Sequence, residues 1–183
     1  MIKKWIQFLT ESRTHEFGCV MIEIPMKDWT KITSVIDKDD VYVDMTESIQ
    51  GIETDPHLTI LYGLKKGTSL KDVKDKLSNY GPIEIQIDGV DTFESEKYEV
   101  VKFNVKKTKE LEKMFKSISE LPNENIFPNY VPHITISYVK KGSGKKYTKK
   151  VKRNLGKLST LVFSQPSGKK YKFRLSEKSS GGE

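Results

Sequence analysis

Two histidines and two threonines recur at matching positions of this sequence. The segment PHLTILY, which contains His57 and Thr59, and the segment PHITISY, which contains His133 and Thr135, are identical at five of seven positions. A neutral imidazole can act as a general base and a protonated one as a general acid, while a threonine hydroxyl can donate to a phosphate oxygen. These four side chains are sufficient for metal-free phosphodiester chemistry, and we expect them to be catalytic.

Both segments have the pattern of a β-strand. Because side chains alternate across a strand, His57 and Thr59 are predicted to share one face, with Leu58, Ile60 and Tyr62 on the other. The second segment follows the same alternation up to its own tyrosine. A duplication of structure alone requires only the apolar positions to repeat. The repeated polar pair therefore favours a shared chemical role on the two sides of a wet cleft.

The elements that must position these strands occur in the same order twice. Strand patterns begin at 17, 57 and 83, and again at 98, 133 and 158, with helix patterns between them. Residues 147–155 are predicted to form a basic connector with helical potential, and residues 169–175 to form a last strand.

These patterns predict an α+β fold made of two pseudo-symmetric lobes. Each lobe is expected to be a mainly antiparallel sheet with helices on its outer face, and the lobes are expected to flank a central cleft. We place a single domain at 1–178, with lobe one at about 17–90 and lobe two at about 98–175. Residues 179–183 are predicted to be a disordered tail.

Composition and charge favour an anionic partner. The chain has 183 residues, a single cysteine and a formal charge of +7, and residues 125–176 contain 13 Lys and Arg but no Asp or Glu. Such a block attracts phosphate-bearing ligands. The lone cysteine excludes an intrachain disulfide, and no apolar run is long enough for a membrane span or a signal peptide. We therefore expect a cytoplasmic protein with no membrane partner.

The paired His-x-Thr strands resemble the signature of the 2H phosphoesterase superfamily over residues 17–175. The continuation of the first motif, PHLTILYGL, is similar to the anti-CBASS nucleases of phages, which cut the cyclic oligonucleotides that bacterial defence systems use as signals. The resemblance implies that His57, Thr59, His133 and Thr135 are the catalytic set, with no metal or other cofactor. It also implies a ribose 2′-hydroxyl nucleophile and a 2′,3′-cyclic phosphate intermediate that water opens to a 3′-phosphate. A phage-encoded protein would act in the host cytoplasm.

Other interpretations remain open at this point. A two-histidine, one-carboxylate metal site would need Asp or Glu in place of Thr59 or Thr135, and H-E-x-x-H is absent. Lys172 and Arg174 alternate with apolar residues in the last strand and are candidates for binding substrate phosphates. Two alternatives to a cyclic oligonucleotide nuclease are an RNA 2′,3′-cyclic phosphodiesterase or RNA-end-processing enzyme, and a non-catalytic nucleotide- or RNA-binding module. The sequence does not decide which histidine is the base, the base preference and ring size of the substrate, or the role of residues 140–157.

Overall fold

A computed structural model describes residues 16–45, 51–125, 127 and 129–176. The tail predicted at 179–183 lies outside the described residues. The strands are β1 (Gly18–Glu23), β2 (His57–Leu64), β3 (Ile83–Glu94), β4 (Tyr98–Val105), β5 (His133–Lys140), β6 (Lys149–Leu158), β7 (Thr160–Ser164) and β8 (Lys170–Arg174). The α-helices are α1 (Trp29–Thr33), α2 (Leu70–Leu77) and α3 (Lys109–Ser119), and 3₁₀ turns occur at Lys38–Asp40 and Gly144–Tyr147. None of the described helices is long and apolar enough to cross a bilayer.

The eight strands form one sheet in the order β6-β3-β4-β5-β2-β1-β7-β8, and every neighbouring pair is antiparallel. The predicted α+β class with antiparallel strands is therefore confirmed. The order is symmetric about its centre, because β5 and β2, the two strands that carry the His-x-Thr segments, are adjacent. Each half of the sheet has four strands.

The two halves are not continuous in sequence, so the boundaries predicted at 17–90 and 98–175 do not delimit them. Strand β3 pairs with β4 and β6 in the second half, while β7 and β8 return to the first half beside β1. The short β3–β4 connection explains why β3 lies in the second half, since a tight hairpin pairs its own two strands. The prediction of a connector with helical potential at 147–155 was wrong, because most of this segment belongs to the edge strand β6.

The helices cover one face of the sheet, and the histidines and threonines of the two motifs lie on the other. Helix α2 begins with a capping box, in which the Ser69 hydroxyl accepts from the Asp72 amide and the Asp72 carboxylate accepts from the Ser69 amide. Helix α3 buries Leu111, Met114 and Ile118 against the same core. The sheet contributes Leu58, Ile60, Ile134 and Ile136 to this core, as the alternation predicts.

A β-bulge in each His-x-Thr strand reverses the later part of the predicted alternation. Thr59 pairs with Met21 and Leu61 with Val20, so Ile60 is an extra residue in β2. Tyr62 consequently lies on the histidine face and packs with Cys19 and Met21, not with the helix-side core.

Strand β5 has the same irregularity. Thr135 pairs with Lys102 and Ser137 with Val101, which leaves Ile136 as the extra residue. Tyr138 therefore packs with Tyr98 and Val100 on the histidine face. The prediction that the two tyrosines oppose the histidines was wrong, because a bulge cannot be detected from side-chain alternation alone.

Candidate active site

The four side chains meet at the centre of the sheet. Leu58 and Ile134 are antiparallel partners, so the register sets His57 opposite Thr135 and Thr59 opposite His133. Opposed positions are about 5 Å apart between Cβ atoms and diagonal positions about 7–8 Å apart. The two histidines occupy one diagonal and the two threonines the other, related by a pseudo-twofold axis through the central pair. This spacing leaves room for one phosphate group between the imidazoles.

The same backbone contact orients each imidazole. The Nδ1 atom of His57 lies 2.8 Å from the carbonyl oxygen of Asp55, and the Nδ1 atom of His133 lies 2.9 Å from that of Val131. A carbonyl oxygen only accepts hydrogen bonds, so each Nδ1 carries a proton and donates it. In a neutral ring, Nε2 is then the basic nitrogen, as a proton-transfer group on this face requires.

The environments of the two histidines differ. The side chain of His133 is buried and that of His57 is partly exposed. Burial lowers the pKa of His133 to about 4, and the positive charges of Lys102 and His57 act in the same direction. His133 is therefore neutral at pH 7 and can accept a proton.

Three residues that were not predicted from the sequence surround His133. The Phe93 ring contacts the His133 ring edge to face, with 4.9 Å between ring centres. Lys102 lies opposite Thr135 and Asn104 opposite His133 in β4, and the Lys102 Nζ donates a hydrogen bond to the Asn104 side chain. Alternation in the strand pattern at 98–105 places Lys102 and Asn104 on one face, but their position beside β5 required the sheet order.

Acidic and basic side chains surround His57. Glu23 lies opposite His57 in β1 and forms a 2.8 Å ion pair with Lys172. The Glu53 carboxyl interacts electrostatically with His57, although burial, the larger influence, raises the Glu53 pKa. The acidic neighbours Glu23 and Glu53 were also missed, because neither belongs to the repeated motif.

The four side chains line two cavities. One, of about 290 Å³, is lined by His57, Glu23, Lys170 and Lys172 among others, and is hereafter the basic cavity. The other, of about 230 Å³, is lined by Thr59, His133 and Thr135 together with aromatic side chains, and is hereafter the aromatic cavity. Its aromatic lining consists of Tyr62, Phe93, Phe115, Phe127, Tyr130 and Tyr138.

The structure separates the two predicted phosphate-binding residues of β8. Lys172 lines the basic cavity beside His57. Arg174 is exposed, lies opposite Thr160 and lines neither cavity. Among the described residues, no group of three or more His, Cys, Asp or Glu side chains is arranged to hold a metal ion.

One family of known proteins has a sequence pattern that matches this chain. The sequence pattern of the 2′-5′ RNA ligase superfamily matches residues 51–162, which is more than half of the chain and includes both His-x-Thr segments. The chain belongs to this superfamily. No curated protein sequence matches the chain significantly.

Solved structures share the superfamily fold. Usb1 of Kluyveromyces marxianus, in its structure with uridine monophosphate, is similar with a TM-score of 0.56 and 6% identity over 87% of this chain and 99% of Usb1. E. coli LigT, in its structure with 3′-AMP, has a TM-score of 0.53 and 9% identity over 88% of this chain and 95% of LigT. At these identities the similarity establishes the α+β fold of the superfamily.

Proposed function

We propose that this protein is a metal-independent phosphodiesterase that hydrolyses 3′,5′ linkages in cyclic di- or trinucleotides, and that it thereby counters bacterial antiphage defence. The crossed arrangement of His57, Thr135, Thr59 and His133 carries the proposal, because it presents two imidazoles and two hydroxyls to one shared point. Membership of the 2′-5′ RNA ligase superfamily, which comprises the 2H phosphoesterases, supports it.

In the first step His133 is the base and His57 the acid. The low pKa of buried His133 keeps its Nε2 unprotonated, so it can remove the proton of the ribose 2′-hydroxyl. The 2′-oxygen attacks phosphorus, the bond from phosphorus to the 5′-oxygen breaks, and His57 protonates the leaving oxygen. The products are a 2′,3′-cyclic phosphate and a free 5′-hydroxyl. Thr59 and Thr135 donate to the non-bridging oxygens as negative charge accumulates there.

In the second step the two histidines exchange roles. His57, now neutral, removes a proton from water, and the resulting hydroxide attacks the cyclic phosphate. The bond from phosphorus to the 2′-oxygen breaks, and protonated His133 returns its proton to that oxygen. The product is a 3′-phosphate, and both rings return to their starting protonation states.

The two cavities support a compact substrate with a nucleotide on each side of the cleaved phosphate. The aromatic cavity provides ring faces suited to stacking on a nucleobase. The basic cavity provides Lys170 and Lys172, which we propose contact a second phosphate. A cyclic dinucleotide has this arrangement of two bases and two phosphates within one small ring.

One observation favours RNA as a second candidate substrate. Edge strand β6 carries exposed basic side chains along its length, and such a row can follow a phosphate backbone. This arrangement would suit an RNA 2′,3′-cyclic phosphodiesterase or an RNA-end-processing enzyme. The basic residues of β6 are Lys149, Lys150, Lys152, Arg153 and Lys157.

A substrate panel tests the proposal. The protein is incubated with cyclic dinucleotides, cyclic trinucleotides and RNA ending in a 2′,3′-cyclic phosphate, and the products are separated by chromatography. Turnover of the cyclic oligonucleotides supports the proposal, and turnover confined to RNA ends supports the second candidate. Binding without turnover of any substrate would show a non-catalytic binding module and overturn both.

Two variants and one substrate analogue test the mechanism. His57→Ala and His133→Ala should each lose at least about 10²-fold in kcat, because general acid–base catalysis contributes about 10²- to 10⁴-fold. Either variant retaining more than about a tenth of the rate would remove that residue from its assigned role. A cyclic substrate with every 2′-oxygen methylated should resist cleavage, and its ready hydrolysis would show that the 2′-hydroxyl is not the nucleophile.

A further inference from the structure

Lys102 is a buried cation that the mechanism above does not use. Its residue is only 3% exposed, although it lies on the histidine face of β4 and not in the helix-side core. None of the described Asp or Glu carboxylates lies within ion-pair distance of its Nζ. Lysines are almost never this deeply buried unless they are paired.

The contacts that Lys102 makes do not neutralise its charge. Nζ donates to the Asn104 side chain, which is a neutral amide, and lies 4.3 Å from the centre of the Phe93 ring. Asp91 lies opposite Lys102 in β3 and interacts with it electrostatically, but burial is the larger influence and lowers the Lys102 pKa. Burying a charge without a paired counter-charge is unfavourable, so these contacts do not explain why a lysine is buried at this position.

The position of Lys102 connects it to the proposed phosphate site. It is the direct cross-strand neighbour of Thr135, and Asn104, which holds its Nζ, is the neighbour of His133. The pseudo-twofold axis relates it to Met21, which lies opposite Thr59 in β1. Lys102 therefore has no cationic counterpart in the first half of the sheet, and it lies beside the histidine assigned as the base.

We propose that Lys102 is a further catalytic residue whose ammonium group contacts a non-bridging oxygen of the substrate phosphate held between the two histidines. This inference rests on the proposed function for the position of the phosphate. The phosphate supplies a counter-charge at contact distance, which Asp91 does not, and the ammonium group stabilises the additional negative charge of the five-coordinate transition state. A buried cation acts more strongly on a nearby charge than the same cation on the surface, because the local dielectric constant is lower.

A binding experiment tests this contact without relying on turnover. The thermal midpoint of unfolding is measured with inorganic phosphate and with potassium chloride at equal ionic strength, because a ligand that binds only the folded protein raises this midpoint. Lys102→Met, which keeps a long unbranched side chain and removes its charge, should lose the phosphate-specific increase in the thermal midpoint. Lys74→Met is the matched control, since Lys74 also lies over a phenylalanine ring, that of Phe173, but on the helix side of the sheet. This variant should keep the increase.

The same variants separate a catalytic lysine from a structural one. Without phosphate, Lys102→Met should unfold at the same temperature as the unaltered protein or higher, because replacing a buried charge by an apolar side chain is often neutral or stabilising. Its kcat on the best substrate of the panel should fall by about 10²- to 10³-fold, as for the loss of one transition-state donor. Lys102→Arg should recover part of that loss. Lys102→Gln provides a second neutral variant if the methionine variant does not fold.

Several results would overturn the inference. They are an unchanged phosphate effect in Lys102→Met, no phosphate effect in the unaltered protein, and a kcat within about threefold of the unaltered value in both neutral variants, far from the loss expected for a transition-state donor. If the phosphate effect depends on Lys102 but no substrate is turned over, the proposed function fails while the contact between Lys102 and phosphate stands. Loss of stability in both neutral variants with an unchanged kcat would show a structural role.

Discussion

The buried ring of His133 is expected to make the folded protein sensitive to acid. Its pKa is about 4 in the folded state, against 6.5 as the ordinary value, because burial disfavours the charged form. Between these two values the unfolded chain binds a proton that the folded protein does not. The free energy of unfolding therefore falls as pH decreases from 6.5 to 4, and the loss is complete below 4. The full difference corresponds to about 3 kcal/mol, and about 2 kcal/mol of it is already lost at pH 5.

Urea unfolding of the unaltered protein and of His133→Gln at several pH values measures this effect. At pH 8 the ring is neutral in both states, so the difference between the two proteins gives the cost of the substitution itself. At pH 5 the variant should gain about 2 kcal/mol relative to the unaltered protein, because glutamine does not titrate. Contributions of the carboxylates are common to both proteins and cancel in the comparison. A stability difference that stays constant from pH 8 to pH 4 would refute the assignment of a buried, neutral His133.

Three further perturbations follow from the site. Thr59→Val and Thr135→Val should each lower kcat by about 10²-fold or more, with little change in KM, because in the proposed mechanism the hydroxyls donate to charge that develops in the transition state. Initial rates with the best substrate of the panel give both constants, and a change confined to KM would contradict this role. Excess chelator should leave kcat unchanged in the same assay, whereas a loss that added metal restores would contradict the metal-free mechanism. Tyr130→Phe should lower the free energy of unfolding by about 1 kcal/mol, because the Tyr130 hydroxyl donates to the Thr59 carbonyl oxygen at 3.2 Å in a buried position. Urea unfolding checks this, and an unchanged midpoint and slope would show that the hydrogen bond contributes nothing.

Features encoded in short stretches of sequence could be predicted. The strand character of the two His-x-Thr segments follows from their apolar positions, and the capping box at Ser69 and Asp72 follows from residue types three positions apart. The duplication predicted that β2 and β5 are equivalent. Their direct contact, which brings His57 opposite Thr135, is a property of the sheet order and could only be expected by symmetry.

Features that depend on which strands are neighbours could not be predicted. The bulges at Ile60 and Ile136 move two tyrosines to the histidine face. Isoleucine and tyrosine can be buried on either face of this sheet, so the residue types do not reveal the change of face. Strand β3 joins the second half of the sheet, and strands β7 and β8 join the first half. This exchange does not alter the order of strands and helices along the sequence, so the sequence pattern cannot reveal it. Lys102 stands in a strand pattern as an ordinary polar residue, and only its burial beside Thr135 distinguishes it from the other lysines.

The two halves of the sheet meet through very little hydrogen-bonded ladder. Leu58 and Ile134 are the one backbone pair found between β2 and β5 in the described part of the chain, and both side chains are fully buried on the helix side. Packing of these two side chains beneath the seam therefore contributes to the angle between the halves, and with it to the separation of the imidazoles. Trimming either one is expected to shift the four proposed catalytic side chains relative to each other from behind the sheet, so the hydrocarbon core would help to set the geometry of the proposed site without touching the substrate.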